Sequence, residues 1–379
     1  MGAKSELRTL DPTDPALRRG RGAGANPSGR FEPYARVAKD RDWDFGDGWD
    51  HRTGQDDGDD LHPRLTTTVR ADHPRTIIAR NTSPDVPFDR SINPYRGCEH
   101  GCVYCFARPT HEFLGLSAGL DFETKLVAKP GAPALLAREL AKPRYKCAPM
   151  AMGTNTDPYQ PIERDWKITR GILEVLAATK HPVVFITKSN LIVRDMDILG
   201  PMAAQNLAAA NLSITTLDRH LARTMEPRAA TPARRLDAVR ALADAGVPTG
   251  VMVAPVIPGL NCSEIEAIME AAAKAGATSA AFIMLRLPHG VKDLFADWLT
   301  EHFPDRRDRV LGLIRDVQNG AESNANYFER QRGSGPVAAM IKQRFSAACR
   351  RFGLNRSDVK LDTSQFVPPD FSGQLGLFS

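Results

Sequence analysis

From about Arg75 to Leu285 the chain alternates short apolar runs with longer segments whose apolar residues recur every three or four positions. Met150-Ala-Met-Gly-Thr, Pro182-Val-Val-Phe-Ile-Thr, Leu212-Ser-Ile-Thr-Thr, Thr249-Gly-Val-Met-Val-Ala and Ser279-Ala-Ala-Phe-Ile-Met-Leu read as strands. Upstream, Thr76-Ile-Ile-Ala is a short apolar run, Ser91 to Tyr95 leads into a cysteine-rich loop, and Phe122 to Ala128 reads as a strand. Helices are expected between them: Ala132 to Leu140, halted by Pro143; Trp166 to Thr179, with Ile168, Ile172, Leu173 and Leu176 on one face; Asp195 to Gln205; and Thr231 to Ala245, closed by Gly246. A helix opening at Ser263, a plausible N-cap, runs to Ala275. Strand and helix in strict turn imply parallel strands joined by right-handed crossovers, and about six such units predict an α/β partial barrel. In such barrels chemistry sits at the carboxyl ends of the strands.

The flanks are different material. Residues 1 to about 75 carry a basic, glycine-rich block, Arg18 to Gly24, and an Asp- and Gly-dominated stretch, Asp40 to Asp60; low apolar content with opposed charge blocks predicts disorder. The basic block reads as a solvated tail, with nucleic-acid phosphate as the alternative contact. Between the blocks, Arg30 to Arg36 holds two aromatics able to pack on the core. Downstream, Val291 to Phe303, Asp308 to Val317 and Val337 to Phe352 have helical patterns. The expected organisation is a disordered segment over 1–75, a barrel over 76–320, a helical C-terminal extension over 321–368 and a flexible tail over 369–379.

Composition narrows the classes. The 379 residues are 42% hydrophobic, ample for a core, and no apolar run reaches the ~18 residues of a membrane span. Met1 to Arg8 lacks the apolar stretch of a secretory signal, and six cysteines at irregular spacing make no disulfide framework, so a reducing cytoplasm is expected. A net charge of +5 permits nucleic-acid contact without arguing for it.

Three of those cysteines, Cys98, Cys102 and Cys105, fall within eight residues at C-x3-C-x2-C spacing, with Tyr104 before the last. Gly97 and Gly101 give the loop the freedom to turn three thiolates toward one centre. Thiolates select zinc or iron–sulfur clusters. A closed zinc site takes four ligands, which His100 or His111 could complete; three thiolates on a [4Fe–4S] cluster instead leave one iron open to a small molecule.

This motif resembles the signature of the radical S-adenosylmethionine (radical SAM) enzymes. The flanking Asn93-Pro-Tyr-Arg-Gly and Cys105-Phe-Ala-Arg-Pro-Thr-His111 make it similar to the branch of spore photoproduct lyase, often labelled DNA-repair photolyase-like, over roughly residues 90–320. The resemblance implies a (β/α)6 TIM-like barrel and two cofactors, a [4Fe–4S] cluster and S-adenosylmethionine. It implies reductive cleavage of the latter to a 5′-deoxyadenosyl radical that abstracts hydrogen from substrate, with electrons from a reductase such as flavodoxin or ferredoxin. The implied substrate is nucleic acid, in a DNA-repair role. An RNA or small-molecule substrate is the alternative, and a zinc-stabilised nucleic-acid adaptor is the reading from another class.

By the same resemblance, Thr156 and Asp157 after the second barrel strand contact S-adenosylmethionine, although Asp157-Pro158 is also a turn dipeptide capping the next helix. Lys188 after the third strand pairs with the methionine carboxylate. Ser213 in the fourth reaches the adenosyl ribose, with Thr215 on the same face. Val253 to Asn261 walls the adenine, unless Val256 and Ile257 are plain core. Glu226, Arg228 and Arg235 are lesser candidates near the mouth. Spore photoproduct lyase places a cysteine hydrogen donor beside the second-strand motif; Gly153 to Asp157 has none. Cys147 is the nearest substitute and reads better as a core cysteine, like Cys262 and Cys349. Finally, Gln374, Leu375, Leu377 and Phe378 in the tail resemble the peptide by which bacterial repair proteins dock on the DNA polymerase sliding clamp; otherwise Leu377 and Phe378 fold back on the barrel.

Overall fold

A computed structural model describes residues 18–31, 50–51 and 65–370. Six parallel strands carry the architecture: Arg90–Ile92, Met150–Met152, Val183–Thr187, Ala208–Ser213, Thr249–Val256 and Ser279–Met284, here the first to the sixth, hydrogen-bonded in that order. Ile78–Arg80 adds an antiparallel edge beside the first. The helices Ile168–Ala178, Met196–Ala203, Pro232–Asp244 and Ile265–Lys274 cross between consecutive strands. This is the expected α/β partial barrel. Its strands are apolar because helices cover one face and side chains fill the other, so Phe185, Leu212, Val251 and Val253 are all buried.

Element ends follow local chemistry. Thr231 caps its helix by accepting from the Arg234 N–H, and Gly246 ends it with φ +76°. The long C-terminal helix, Gly335–Phe352, lies on Ile265–Lys274, where Arg344 pairs with Glu266 and Phe345 packs on Phe282. Just past it, Asn355 uses its side-chain amide to bond both the N–H and the carbonyl of Ala280, covering the open edge of the sixth strand. Among the described residues no helix is long and apolar enough to cross a membrane.

Several expectations need correction. The strand read over Phe122 to Ala128 is present only as Lys125–Ala128, after the helical turn Asp121–Thr124, and it joins a separate sheet, parallel to Thr68–Ala71 and antiparallel to Tyr95–Arg96. The fourth strand ends at Ser213, before Thr215 and Thr216. Ser263 is not an N-cap; it sits inside a short 3-10 turn, Cys262–Glu264. The basic block Arg18 to Gly24, read as a solvated tail, packs on the cysteine loop: Ala23 is fully buried, and the Arg21 guanidinium donates to the carbonyls of Glu123 and Leu65 and to the Thr67 hydroxyl. Composition misled because this stretch is held by backbone amides and one arginine, not by apolar side chains. The remaining expectations for 1–17, 32–49 and 52–64, and the tail residues 371–379, lie outside the described residues.

Candidate active site

The cysteine loop leaves the carboxyl end of the first strand and is tied down on every side. Gly97 and Gly101 have φ +75° and +66°, and a Cβ at either position would strike Leu126 or Glu123 within 2.7 Å. Arg108, fully buried, donates from Nε to the Cys102 carbonyl, from Nη1 to the Ala118 and Gly119 carbonyls and from Nη2 to Glu123. Glu123 also accepts the Gly22 and Ala23 N–H groups at 2.9 and 2.8 Å, which fixes the N-terminal arm against Gly101. On the far side, Gln160 accepts from the Glu99 N–H and donates to the Gly97 carbonyl.

Cys98 and Cys102 are buried, Cys105 is half-buried, and none is in a disulfide. Burial pushes all three thiols up, Cys102 to about 12, with Glu226 adding to the rise there and Lys188 opposing it. Such thiols become thiolates only beside strong positive charge, which a metal centre supplies. Among the described residues no three His, Cys, Asp or Glu side chains converge on a single-ion site. One ring nitrogen of each neighbouring histidine is engaged, His100 Nδ1 facing Asp157 at 3.4 Å and His111 Nε2 facing the Lys125 carbonyl at 2.9 Å, and among the described residues neither histidine joins the cysteines in a group that could hold a single ion. The donor set therefore fits an iron–sulfur cluster with three protein thiolates.

Tyr104 directs its hydroxyl into a buried polar knot. It donates to Glu226, which also accepts from Thr215 at 2.6 Å and is ion-paired with Arg235. Burial alone would raise the Glu226 carboxyl, but Arg235, Lys188, Thr215 and Tyr104 outweigh it and hold it at about 2. Glu226 and Arg235, read as lesser mouth residues, are thus structural anchors for the motif aromatic.

The other candidates fall around this loop with altered roles. Asp157 is half-buried and well engaged, accepting from the Thr187 hydroxyl and the Lys188 N–H at 2.7 Å and the Tyr159 N–H at 2.9 Å. Burial opposes its ionisation, but His100 and these donors hold its carboxyl below the ordinary range. The Thr156 hydroxyl donates to the Tyr95 carbonyl. Both side chains lock strand ends together, the turn reading, while the Thr156 hydroxyl keeps its capacity to accept. Lys188 is half-buried with its ammonium 5.8 Å from the Tyr104 ring centroid. Ser213 is buried, its carbonyl accepting from Arg235. Val256 and Ile257 are core, and Asn261 ties their loop to the end of the fourth strand through the Thr215 carbonyl. Cys147 precedes the second strand, at the amino end of the barrel, away from the carboxyl end from which the cysteine loop leaves.

Two adjoining grooves flank the loop. One, of about 550 Å³, is lined by Arg219, His220, Arg223 and Glu226; the other, of about 160 Å³, by His100, Arg164, Arg228 and Arg234; both share Ala229 to Thr231. Among the described residues Arg164, Arg219, Arg223 and Arg234 form no ion pair, while Arg228 pairs with Glu99 at 3.2 Å. Sequence reading passed over Arg219 and Arg223, although two arginines at i, i+4 without an acid between them were a visible signal.

The Radical SAM superfamily model matches residues 92–272. Uncharacterized proteins of Mycobacterium tuberculosis and Mycobacterium bovis are 38% identical over 232 residues, covering 61% of this chain and 68% of theirs. One from Methanocaldococcus jannaschii is 29% identical over 169 residues, 45% of this chain and 61% of its own. Spore photoproduct lyase complexed with dinucleoside spore photoproduct has a similar fold, with a TM-score of 0.53 over 76% of this chain and 80% of that one at 16% identity.

Proposed function

The chain belongs to the radical SAM superfamily, and from that premise we propose that this enzyme, which uses a [4Fe–4S] cluster and S-adenosylmethionine, acts on nucleic acid. When bound, the cofactors supply reductive formation of a 5′-deoxyadenosyl radical. Cys98, Cys102 and Cys105 hold the cluster; Arg108 and Glu123 fix the loop that carries them. Lys188 offers its ammonium to the carboxylate of S-adenosylmethionine, and Ser213 a hydroxyl to its ribose. Asp157 and Thr156 position Lys188 and the loop.

The substrate class rests on one observation, the adjoining grooves with four arginines free of carboxylates at the carboxyl end of the barrel. Four exposed arginines without a carboxylate partner make this face locally positive, and phosphodiesters meet such charge at regular spacing. DNA binding that weakens with salt is expected, and Arg219→Ala with Arg223→Ala should lower the slope of log K against log salt by about 1 for each phosphate that is no longer neutralised. Salt-independent binding, or none, overturns the reading; preference for RNA moves the substrate to that polymer.

A sliding-clamp partner, through Gln374, Leu375, Leu377 and Phe378, belongs to the same reading. Clamp capture should disappear when residues 374–379 are removed; capture that survives the deletion excludes this peptide as the dock.

A further inference from the structure

Phe106 follows the last cysteine yet is 44% exposed, and the Arg286 guanidinium, just past the sixth strand, lies 4.7 Å from its ring centroid. Arg286 is close enough to Arg330 and Asp85 to feel both charges. Asp85 in turn holds a second aromatic pair: it accepts from Arg330 Nε and Nη2 at 2.7 and 2.5 Å and from the Phe328 N–H at 3.3 Å. Phe328 has φ +67°, a left-handed conformation that a bulky residue adopts rarely, and its ring is 62% exposed. Tyr327 is 52% exposed beneath the Arg330 guanidinium, 5.0 Å from its centroid. Three aromatics thus stand in water along one lip, each large enough to be buried elsewhere, with Arg286 and Arg330 as their cationic neighbours and with Asp85 engaged by Arg330 and Glu329 by three asparagines.

We propose that this lip, Phe106, Tyr327 and Phe328 with Arg286 and Arg330, is a stacking shelf for unpaired nucleobases, so that the enzyme takes its nucleic acid single-stranded. The proposal rests on the nucleic-acid reading above and specifies the form of that substrate. A paired base within a duplex has both faces covered by its neighbours, whereas an unpaired base offers a face to an aromatic ring and its phosphate to an arginine. The Arg286 guanidinium, without an ion pair among the described residues, selects an anionic flat ligand over an apolar peptide, while Asp85 holds Arg330 in place over Tyr327. The cysteine loop touches both surfaces, through Phe106 at the lip and through the His100 carbonyl, which accepts from the Arg228 N–H at the groove. A strand that stacks at the lip and runs its phosphates toward the grooves therefore passes the loop.

The test is fluorescence anisotropy of the cluster-loaded enzyme with an oligonucleotide of about 12 nucleotides, single-stranded and as its duplex. Tyr327→Ala and Phe328→Gly should each weaken single-strand binding roughly 5- to 10-fold and leave duplex binding and the thermal midpoint unchanged. Arg219→Ala with Arg223→Ala should weaken both forms. Unchanged single-strand affinity in both aromatic variants, or wild-type preference for duplex, overturns the shelf while leaving the grooves intact. No binding of either form at low salt overturns the nucleic-acid reading and the shelf with it.

Discussion

Loss of cluster iron and of 5′-deoxyadenosine formation is the expected result of Cys102→Ala, measured after anaerobic reconstitution with iron and sulfide and reduction by dithionite. Removing even an outer partner of a metal ligand costs about 10- to 100-fold, so loss of one thiolate of three should exceed roughly 100-fold. The loop has no means of compensating. Its turns depend on positive φ at Gly97 and Gly101, and Arg108 clamps the Cys102 carbonyl in place. Lys188→Met provides the contrast: iron is retained, while S-adenosylmethionine binds about 10-fold more weakly in equilibrium dialysis, the worth of one charged hydrogen bond. Wild-type protein that takes up zinc in place of iron would refute the cluster assignment.

Glu226→Ala carries the largest expected cost in stability. It leaves Arg235 buried and unpaired and strips the partner from the Tyr104 hydroxyl, so about 3–5 kcal/mol should be lost in denaturant unfolding. Arg235→Met added to Glu226→Ala should recover much of this, because the orphaned charge goes with it. The acid dependence has a defined sign. Glu226 ionises more readily folded than unfolded, near 2 against 4.5. Its stabilisation is therefore full above pH 4.5 and disappears as pH falls toward 2, an amount on the order of 3 kcal/mol. The double variant should lack that part of the acid sensitivity. A wild-type curve matching the double variant below pH 4.5 would show that the pair does not titrate as derived.

The lip and the grooves bear on how much a linear reading can reach. Lys188 and Ser213 are singled out by the family resemblance at strand ends, and Lys188 stands beside the Tyr104 ring of the cysteine loop. Asp157 follows from the same resemblance, but its role does not: one carboxylate can cap a turn or bind a ligand, and only its three donors reveal that it is engaged. Tyr327 and Phe328 sit in a segment with no pattern, and nothing along the chain shows that Asp85 pins them outward.

Local spacing alone dictated the α/β alternation, five of the six parallel strands and the three-cysteine loop, because periodicity and short ligand separations are set by neighbours within a turn or two. The folded chain decided the rest. Glu123 with Gly22, Tyr104 with Glu226 and Phe106 with Arg286 meet across long stretches of sequence, and each side chain taken singly is an ordinary polar or aromatic residue. The N-terminal arm shows the physical reason most clearly. Its order comes from amides meeting one buried carboxylate, an interaction that hydrophobic pattern and charge count do not register.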